Sequence, residues 1–287
     1  MIGRWRQHGT RVRALRGEDK DAALALCALD PVGSVLAAVQ AEQLGKRRLP
    51  GMEVLGLWED SELRALCWAG ANLVPVGVTT PGLLDLLAEH VAERGRRASS
   101  IVGPADQVLA LWQRLGGRWS RPREIRAAQP SMVIDGEPAV APDPRVRLSR
   151  VNELGLVVPA CVAMFTEEVG YSPVSAGGGY AQRVQELVTG GRSYVRIDDG
   201  PDGRHVVFKA EVGALALGVA QIQGVWVNPA YRGQGVAAPA MAAVVADVQA
   251  RLAPTVSLYV NDFNTAAIAT YRRAGFRQVG TYATVLF

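Results

Sequence analysis

The stretch Val225–Ala237, which reads VWVNPAYRGQGVA, decides how the chain is interpreted. Its first residues form an apolar strand that is expected to end at Pro229, because proline cannot donate to a sheet ladder. A glycine-rich turn and a helix from about Pro239 to Leu252 are predicted to follow. Gly233 and Gly235 allow backbone angles and a close approach that a Cβ would block. Since free N–H groups at the start of a helix attract anions, the turn is predicted to bind phosphate.

Length and composition indicate a two-domain globular protein. The chain has 287 residues, of which 49% are hydrophobic and 20% are charged, and these values are typical of soluble domains. No uncharged apolar run reaches the roughly 18 residues that a membrane span needs. Residues 1–20 are basic and lack the apolar core of a signal peptide. We therefore expect a cytoplasmic protein that does not associate with a membrane.

The charge and the cysteines exclude several other kinds of site. The net charge of +4 comes mainly from arginine, and such a charge can attract a phosphorylated cofactor or a nucleic acid. The arginines are dispersed apart from the runs at 46–48 and 94–97, and no nucleic-acid-binding motif accompanies them. Cys27, Cys67 and Cys161 have neither metal-ligand nor disulfide spacing. We therefore predict no nucleic-acid partner and no metal.

The chain is predicted to contain two copies of one α/β unit. Residues 135–145 are rich in proline and acidic side chains without periodicity, so they are predicted to connect two domains. On each side a short strand is followed by a helix that ends at a glycine, Gly116 or Gly275. An aromatic residue, Trp112 or Tyr271, stands four residues before that glycine. We predict domains at 1–135 and 146–287 with a linker at 136–145; a single large sheet is the alternative.

Two signatures in the second half carry a resemblance to a known family. One is the loop RGQGVA at 232–237, preceded by a strand and Val-x-Pro. The other is Asn264-x-x-Ala-Ile-x-x-Tyr271-x-x-x-Gly-Phe, downstream of it. A glycine loop alone is weak evidence, but both signatures in strand–loop–helix–strand–helix order are specific. From about Arg145 the chain resembles the GNAT superfamily of acyl-CoA-dependent N-acyltransferases. The resemblance implies an α/β fold of two tandem domains, each a mixed, mostly antiparallel twisted sheet flanked by helices.

The resemblance also implies a binding mode for acetyl-CoA as cosubstrate. The amides of the loop would hold the pyrophosphate, Arg232 would complement its charge, and the strand end before the loop would pair with the pantetheine arm. One strand-end amide would polarise the thioester carbonyl. The residues expected to bind the cosubstrate are Val225, Trp226, Val227, Arg232, Gly233, Gln234, Gly235, Val236, Ala237 and Asn264.

The resemblance assigns the acid to Tyr271, which would protonate the departing thiolate. Asn264 lies seven residues earlier, about two helical turns, and therefore on the same helix face. Both residues have simpler alternatives, since Tyr271 could only pack and Asn264 could only cap its helix.

The base that deprotonates the amine is left unassigned. Many members of the family carry a glutamate on the strand before the loop, but this chain has Gln221 and Gln223 there, and an amide cannot act as a base. The candidates elsewhere are Glu211, Glu167, Glu168 and His205. An amine that arrives already neutral is the other alternative. Glu167, Glu168 and Tyr171 are also the candidates for contacting the amine substrate.

The first half lacks both signatures, and Trp112 takes the position that matches Tyr271. It is interpreted as a degenerate copy, and whether it binds acyl-CoA is left open. The predicted function is direct transfer of acetyl from CoA to a primary amine of a protein, peptide or small molecule, catalysed by the second domain. The alternatives are acetylation of a small molecule in the manner of mycothiol synthase, and a non-catalytic acyl-CoA-sensing or interaction protein. The acceptor and the oligomeric state do not follow from the sequence.

Overall fold

The computed structural model describes residues 9–46, 52–173, 179–201 and 203–287. The chain separates into two compact units. The first unit is Met1–Ser131 with Gly280–Phe287, and the second unit is Met132–Val279. Among the described residues, no helix is both long and apolar enough to cross a membrane.

Both units contain helices and strands. Up to residue 134 the elements are β1 Arg11–Ala14, α1 Lys20–Cys27, α2 Pro31–Ala41, β2 Glu53–Glu59, β3 Glu62–Ala69, β4 Asn72–Val76, α3 Pro81–Glu93, β5 Ser100–Pro104, α4 Ala105–Leu115 and β6 Glu124–Ile134. The remaining elements are β7 Arg147–Leu148, α5 Leu154–Val169, α6 Gly179–Thr189, β8 Ser193–Gly200, β9 Gly203–Ala216, β10 Val219–Val227, α7 Ala237–Arg251, β11 Thr255–Tyr259, α8 Thr265–Ala274 and β12 Arg277–Leu286.

In the first unit the strand order is β1-β2-β3-β4-β5-β12-β6. Strands β1 to β4 are antiparallel neighbours, β4 and β5 are parallel, and β12 is antiparallel to β5. Helices α3 and α4 cover the sheet with buried side chains such as Leu87 and Leu111, which pack with Ile101 of β5. Because β12 pairs with β5, residues 280–287 belong to this unit, whereas the predicted division places them in 146–287.

In the second unit the strand order is β6-β11-β10-β9-β8-β7. Strands β7 to β10 are antiparallel neighbours, and β10 and β11 are parallel. Tyr194 and Val195 are consecutive on β8 and so face opposite sides of the sheet. Tyr194 packs in the cluster that includes Met241 of α7, and Val195 packs with Cys161 of α5. The sheet therefore has helices on both faces, in agreement with the predicted mixed α/β fold.

The two units share one order of elements, as the predicted repeat requires. A hairpin is followed by a helix, a strand parallel to the second hairpin strand, and another helix. In the first unit these elements are β3, β4, α3, β5 and α4, and in the second unit they are β9, β10, α7, β11 and α8.

The segment predicted to be a linker, 136–145, packs within the second unit. Asp143 is buried; its backbone N–H donates to the Pro239 carbonyl, and its carboxylate lies 3.2 Å from Arg196 Nη1. Burial tends to raise the pKa of Asp143, but hydrogen bonds from Arg145 and the charge of Arg196 outweigh burial and lower it. The domain boundaries at 1–135, 136–145 and 146–287 remain a prediction, and the contact-based units differ from them at this segment and at β12.

Candidate active site

Strand β10 has an open edge where it separates from β11. The parallel pairing runs from Val219, opposite Thr255, to Gln221, opposite Ser257. Residues 222–227 continue beside β9, with Trp226 opposite Lys209, and within the described chain they have no register partner on β11. An extended molecule with amide groups can pair with such an edge as an added strand would. The edge includes residues 225–227, the stretch for which strand-like pairing with a ligand is predicted.

The glycine loop, defined here as residues 228–237, follows this edge directly. Asn228 Oδ1 accepts a hydrogen bond from Ala230 N (3.1 Å) and so caps a single 3₁₀ turn. Gly233 and Gly235 have φ values of 73° and 76°, and no atom lies within 4 Å of where a Cβ would stand at either residue. The positive φ therefore explains the glycines, and the space beside them is open.

Helix α7 begins at Ala237 without a side-chain cap in the described chain. It starts two residues before the predicted position, and the proline at 239 lies in its first turn, where a missing N–H is tolerated. The first N–H groups of the helix are thus left for another acceptor. The loop and the helix start together have the geometry of an anion site.

The corresponding helix of the first unit is capped by its own chain. The Thr80 hydroxyl accepts a hydrogen bond from Leu83 N (3.4 Å), and Pro81 occupies the first helical position. Proline has no N–H to offer, and the cap satisfies another donor. Trp112, the counterpart of Tyr271, packs edge-on against Phe287 at a centroid distance of 5.6 Å. The start of α3 therefore leaves fewer backbone N–H groups for a ligand than the start of α7.

Arg232 contacts Glu167, a residue 65 positions earlier. Its Nη2 lies 2.6 Å from Glu167 Oε2, and its Nε donates to the Val227 carbonyl (2.9 Å). Trp226 Nε1 donates to the other carboxylate oxygen of Glu167 (3.1 Å). The end of α5 is thereby held against the strand end and the glycine loop, a contact that the sequence did not indicate.

Asn264 caps helix α8, as one of the two sequence interpretations expects. Its Oδ1 accepts a hydrogen bond from Ala267 N (3.1 Å), and the side chain is exposed. The cap does not exclude a contact with a ligand, because the exposed amide N–H groups remain available.

We expect Asn264→Ala to lower the free energy of unfolding by about 1 kcal/mol, because the amide of Ala267 loses its acceptor. Urea denaturation followed by circular dichroism measures the change. Thr265→Ala, one residue further along, is the matched control and should change stability by less than about 0.5 kcal/mol. Equal stability of the two variants would contradict the capping role.

Tyr271 is buried on α8, with its ring 5.8 Å from that of Phe276 between centroids. Burial, and to a smaller extent the charge of Glu168, raises the pKa of its phenol well above the ordinary value. The hydroxyl therefore keeps its proton at neutral pH, as an acid must. The part of the chain that the structure describes gives this hydroxyl no hydrogen-bond partner. The ring therefore packs against Phe276, whereas the described residues do not engage the hydroxyl.

The candidate bases have different surroundings. His205 Nε2 lies 2.6 Å from the Tyr231 hydroxyl, and Glu167 is engaged by Arg232. Glu211 is buried on β9, where it accepts a hydrogen bond from Cys161 Sγ (3.2 Å).

Glu211 also has a partner that sequence reasoning missed. Lys209 is fully buried, and its Nζ lies 2.7 Å from Glu211 Oε1. This short distance makes the contact an ion pair. A Cβ on Gly224, at the irregular stretch of β10, would lie 3.0 Å from this Nζ. The sequence does contain a signal for this pair, because Lys209, one of three lysines, and Glu211 are the two charged residues of the otherwise apolar run VVFKAEV.

Glu168 and Tyr171 lie near the end of α5. Phe165 packs edge-on against Tyr171 and Tyr180, with a centroid distance of 5.5 Å in each case. Residues 174–178 lie outside the described residues. No group of three His, Cys, Asp or Glu side chains within the described ranges could hold a metal ion.

Comparisons with known proteins agree with this architecture. Residues 188–276 match the model of the acetyltransferase (GNAT) family, and residues 52–157 match a domain of unknown function (DUF4081). No curated protein matches the chain.

Solved structures of similar fold cover almost the whole chain. A GCN5-related N-acetyltransferase from Sphaerobacter thermophilus is 19% identical, with 96% of this chain and 94% of that chain covered and a TM-score of 0.60. A GNAT-family acetyltransferase from Colwellia psychrerythraea is 12% identical (96% and 99% covered, TM-score 0.57). A tandem GNAT protein from the clavulanic acid biosynthesis pathway is 11% identical (96% and 98% covered, TM-score 0.54). At these identities the likeness concerns the fold.

Proposed function

We propose, from the match of residues 188–276 to the model of the acetyltransferase (GNAT) family, that this chain is an acetyl-CoA-dependent N-acetyltransferase whose second unit is catalytic. A primary amine of a protein, peptide or small molecule attacks the thioester carbonyl. A C–N bond forms, the C–S bond breaks, and the thiolate of CoA leaves. The amine gives up one proton and the thiolate takes one up, so the reaction needs a proton acceptor and a proton donor.

The observation that carries the proposal is the continuity between the open edge of β10 and the uncapped start of α7. The pantetheine arm would pair with residues 225–227, and the pyrophosphate would accept from N–H groups of the glycine loop. Gly233 and Gly235 leave room for the phosphates to approach the backbone. A strand-end amide would polarise the thioester carbonyl as it gains negative charge.

We assign the proton donor to Tyr271 and the proton acceptor to Glu211. Tyr271 is protonated at neutral pH and its hydroxyl is not engaged within the described chain. Among the candidate bases, Glu211 is buried beside the irregular stretch of β10 that precedes residues 225–227. The Nζ of Lys209, 2.7 Å from Glu211 Oε1, fixes this carboxylate in place.

We expect Gly235→Ala to weaken acetyl-CoA binding by about tenfold, because forcing a residue with a Cβ into the left-handed region costs roughly 1–2 kcal/mol. Isothermal titration calorimetry with acetyl-CoA measures the dissociation constant. Gly280→Ala is the matched control: φ there is not positive and no atom crowds the added Cβ, so binding should not change. Unchanged binding by Gly235→Ala would place the pyrophosphate elsewhere.

The whole proposal is tested by calorimetry with acetyl-CoA followed by release of the free CoA thiol in the presence of a panel of amines and peptides. Binding together with amine-dependent thiol release supports it, and absence of binding overturns it. Turnover confined to small amines would favour the mycothiol-synthase-like alternative. A non-catalytic acyl-CoA sensor is the second candidate, favoured by Gln221 and Gln223 on β10; binding without turnover on any acceptor would point to it.

A further inference from the structure

The positive charge of the glycine loop is paired with a carboxylate of the protein. Arg232 is the only cationic residue in 228–237, and its guanidinium makes the 2.6 Å ion pair with Glu167. The same guanidinium is anchored to the strand end through Nε and the Val227 carbonyl. An arginine placed to receive a pyrophosphate is therefore held by a carboxylate from the end of α5.

The ion pair is of a kind that a phosphate displaces readily. Both side chains are about half exposed, with relative accessibilities of 48% for Arg232 and 43% for Glu167. Water therefore screens the pair, and its contribution is small. A guanidinium binds phosphate oxygens in a bidentate fashion, and the N–H groups at the start of α7 favour the same anion.

The second contact of Glu167 keeps the carboxylate in place when Arg232 leaves. Trp226 Nε1 donates to Oε1, whereas Arg232 contacts Oε2. Each carboxylate oxygen thus has its own partner, and loss of one contact does not free the side chain completely. The pair can therefore re-form when the pyrophosphate departs.

We propose that Glu167 competes with the pyrophosphate of acyl-CoA for Arg232: it pairs with Arg232 in the free protein and gives it up to the pyrophosphate on binding. The inference rests on the proposed function, since it requires that the loop binds CoA. Glu167 lowers the affinity for both acetyl-CoA and the product CoA, and re-formation of the ion pair assists release of the product. This role differs from the substrate contact predicted for Glu167 from the sequence.

A double-mutant cycle measured by titration calorimetry with acetyl-CoA tests the exchange. We expect Glu167→Gln to tighten binding about threefold, because Arg232 no longer has to leave a charged partner. Arg232→Gln should weaken binding about tenfold, through loss of one charge-assisted contact to phosphate. In the Arg232→Gln background, Glu167→Gln should change the affinity by less than about twofold.

Two controls separate the ion pair from general electrostatics. Glu168→Gln removes the same charge one residue further along α5 and should leave the affinity within about twofold. Dephospho-CoA keeps the pyrophosphate but lacks the 3′-phosphate, so Glu167→Gln should tighten its binding equally. Thermal melting of the four proteins of the cycle verifies that they are folded, and Glu167→Ala is a second variant with the same expected direction.

Different results of the cycle would overturn the exchange and the proposed function separately. Equal effects of Glu167→Gln in both backgrounds would mean that only long-range charge acts, and weaker binding by Glu167→Gln would mean that Glu167 prepares Arg232 for the ligand. Either result overturns the exchange while the proposed function stands. If the wild-type protein does not bind acetyl-CoA, the proposed function fails, and the exchange fails with it.

Discussion

Lys209→Met is expected to lower the free energy of unfolding by about 3–5 kcal/mol, because it leaves the carboxylate of Glu211 buried without a counter-charge. Lys209 is fully inaccessible, Glu211 is 5% exposed, and their charged atoms are 2.7 Å apart. Glu211→Gln should have a similar cost, since it leaves a buried ammonium alone. Urea denaturation at neutral pH, followed by circular dichroism, measures both losses.

The double variant Lys209→Met/Glu211→Gln is expected to recover most of this stability. Removing both charges also removes the desolvation cost of both, and replacement of a buried ion pair by uncharged side chains of similar size is often neutral or stabilising. We expect the double variant within about 1 kcal/mol of the wild-type protein. Cys161→Ser keeps a donor to Glu211 and is the matched control, with a small change expected. A double variant as unstable as the single ones would contradict this account.

The double variant also separates stability from function. If Glu211 takes the proton of the amine, thiol release should fall by about 10²-fold or more in a protein that is otherwise stable. A buried ion pair is weak evidence for stability and a better pointer to a functional site. Wild-type turnover by the stable double variant would make the pair structural and leave the proton acceptor to be found elsewhere.

Local patterns predicted most of the architecture of the second unit. The strand, the glycine loop and the helix of 225–252 follow from residues that are neighbours in sequence, and the structure places β10 up to Val227 and α7 at Ala237–Arg251. The cap at Asn264 and the helix end at Gly275, with φ 110°, also depend on local chemistry. Such features need no knowledge of the remainder of the chain.

Contacts between distant residues did not follow from the sequence. Glu211 meets Cys161 across 50 residues, and Arg232 meets Glu167 across 65. The pairing of β12 with β5 in the first unit is also non-local, because periodicity identifies a strand but not its neighbour. Each of these contacts depends on which faces of the elements pack together. Patterns in a single sequence can therefore identify the residues as candidates, but they do not predict which residues contact each other.

Tyr271→Phe is expected to lower kcat by about 10²-fold, through loss of the group that protonates the departing thiolate. The same substitution should leave stability nearly unchanged, because the hydroxyl has no hydrogen-bond partner within the described chain and the ring still packs against Phe276. Since burial raises the pKa of this phenol, its ionisation should not reduce the rate of the wild-type enzyme below pH about 10. Rates of thiol release at saturating substrates, measured against pH, check these expectations.

Tyr194→Phe is the control that separates loss of a buried hydroxyl from loss of an acid. The Tyr194 hydroxyl donates to Asp247 Oδ2 (2.7 Å) and accepts from Arg251 Nη2 (2.9 Å), on the face of the sheet that packs against α7. Its removal should cost about 1–2 kcal/mol of stability while kcat is retained. The two tyrosines thus predict opposite outcomes: stability without turnover at 271, and turnover with reduced stability at 194. An unchanged kcat for Tyr271→Phe, with chemistry limiting, would reduce Tyr271 to a packing residue, and the thiolate would then take its proton from solvent.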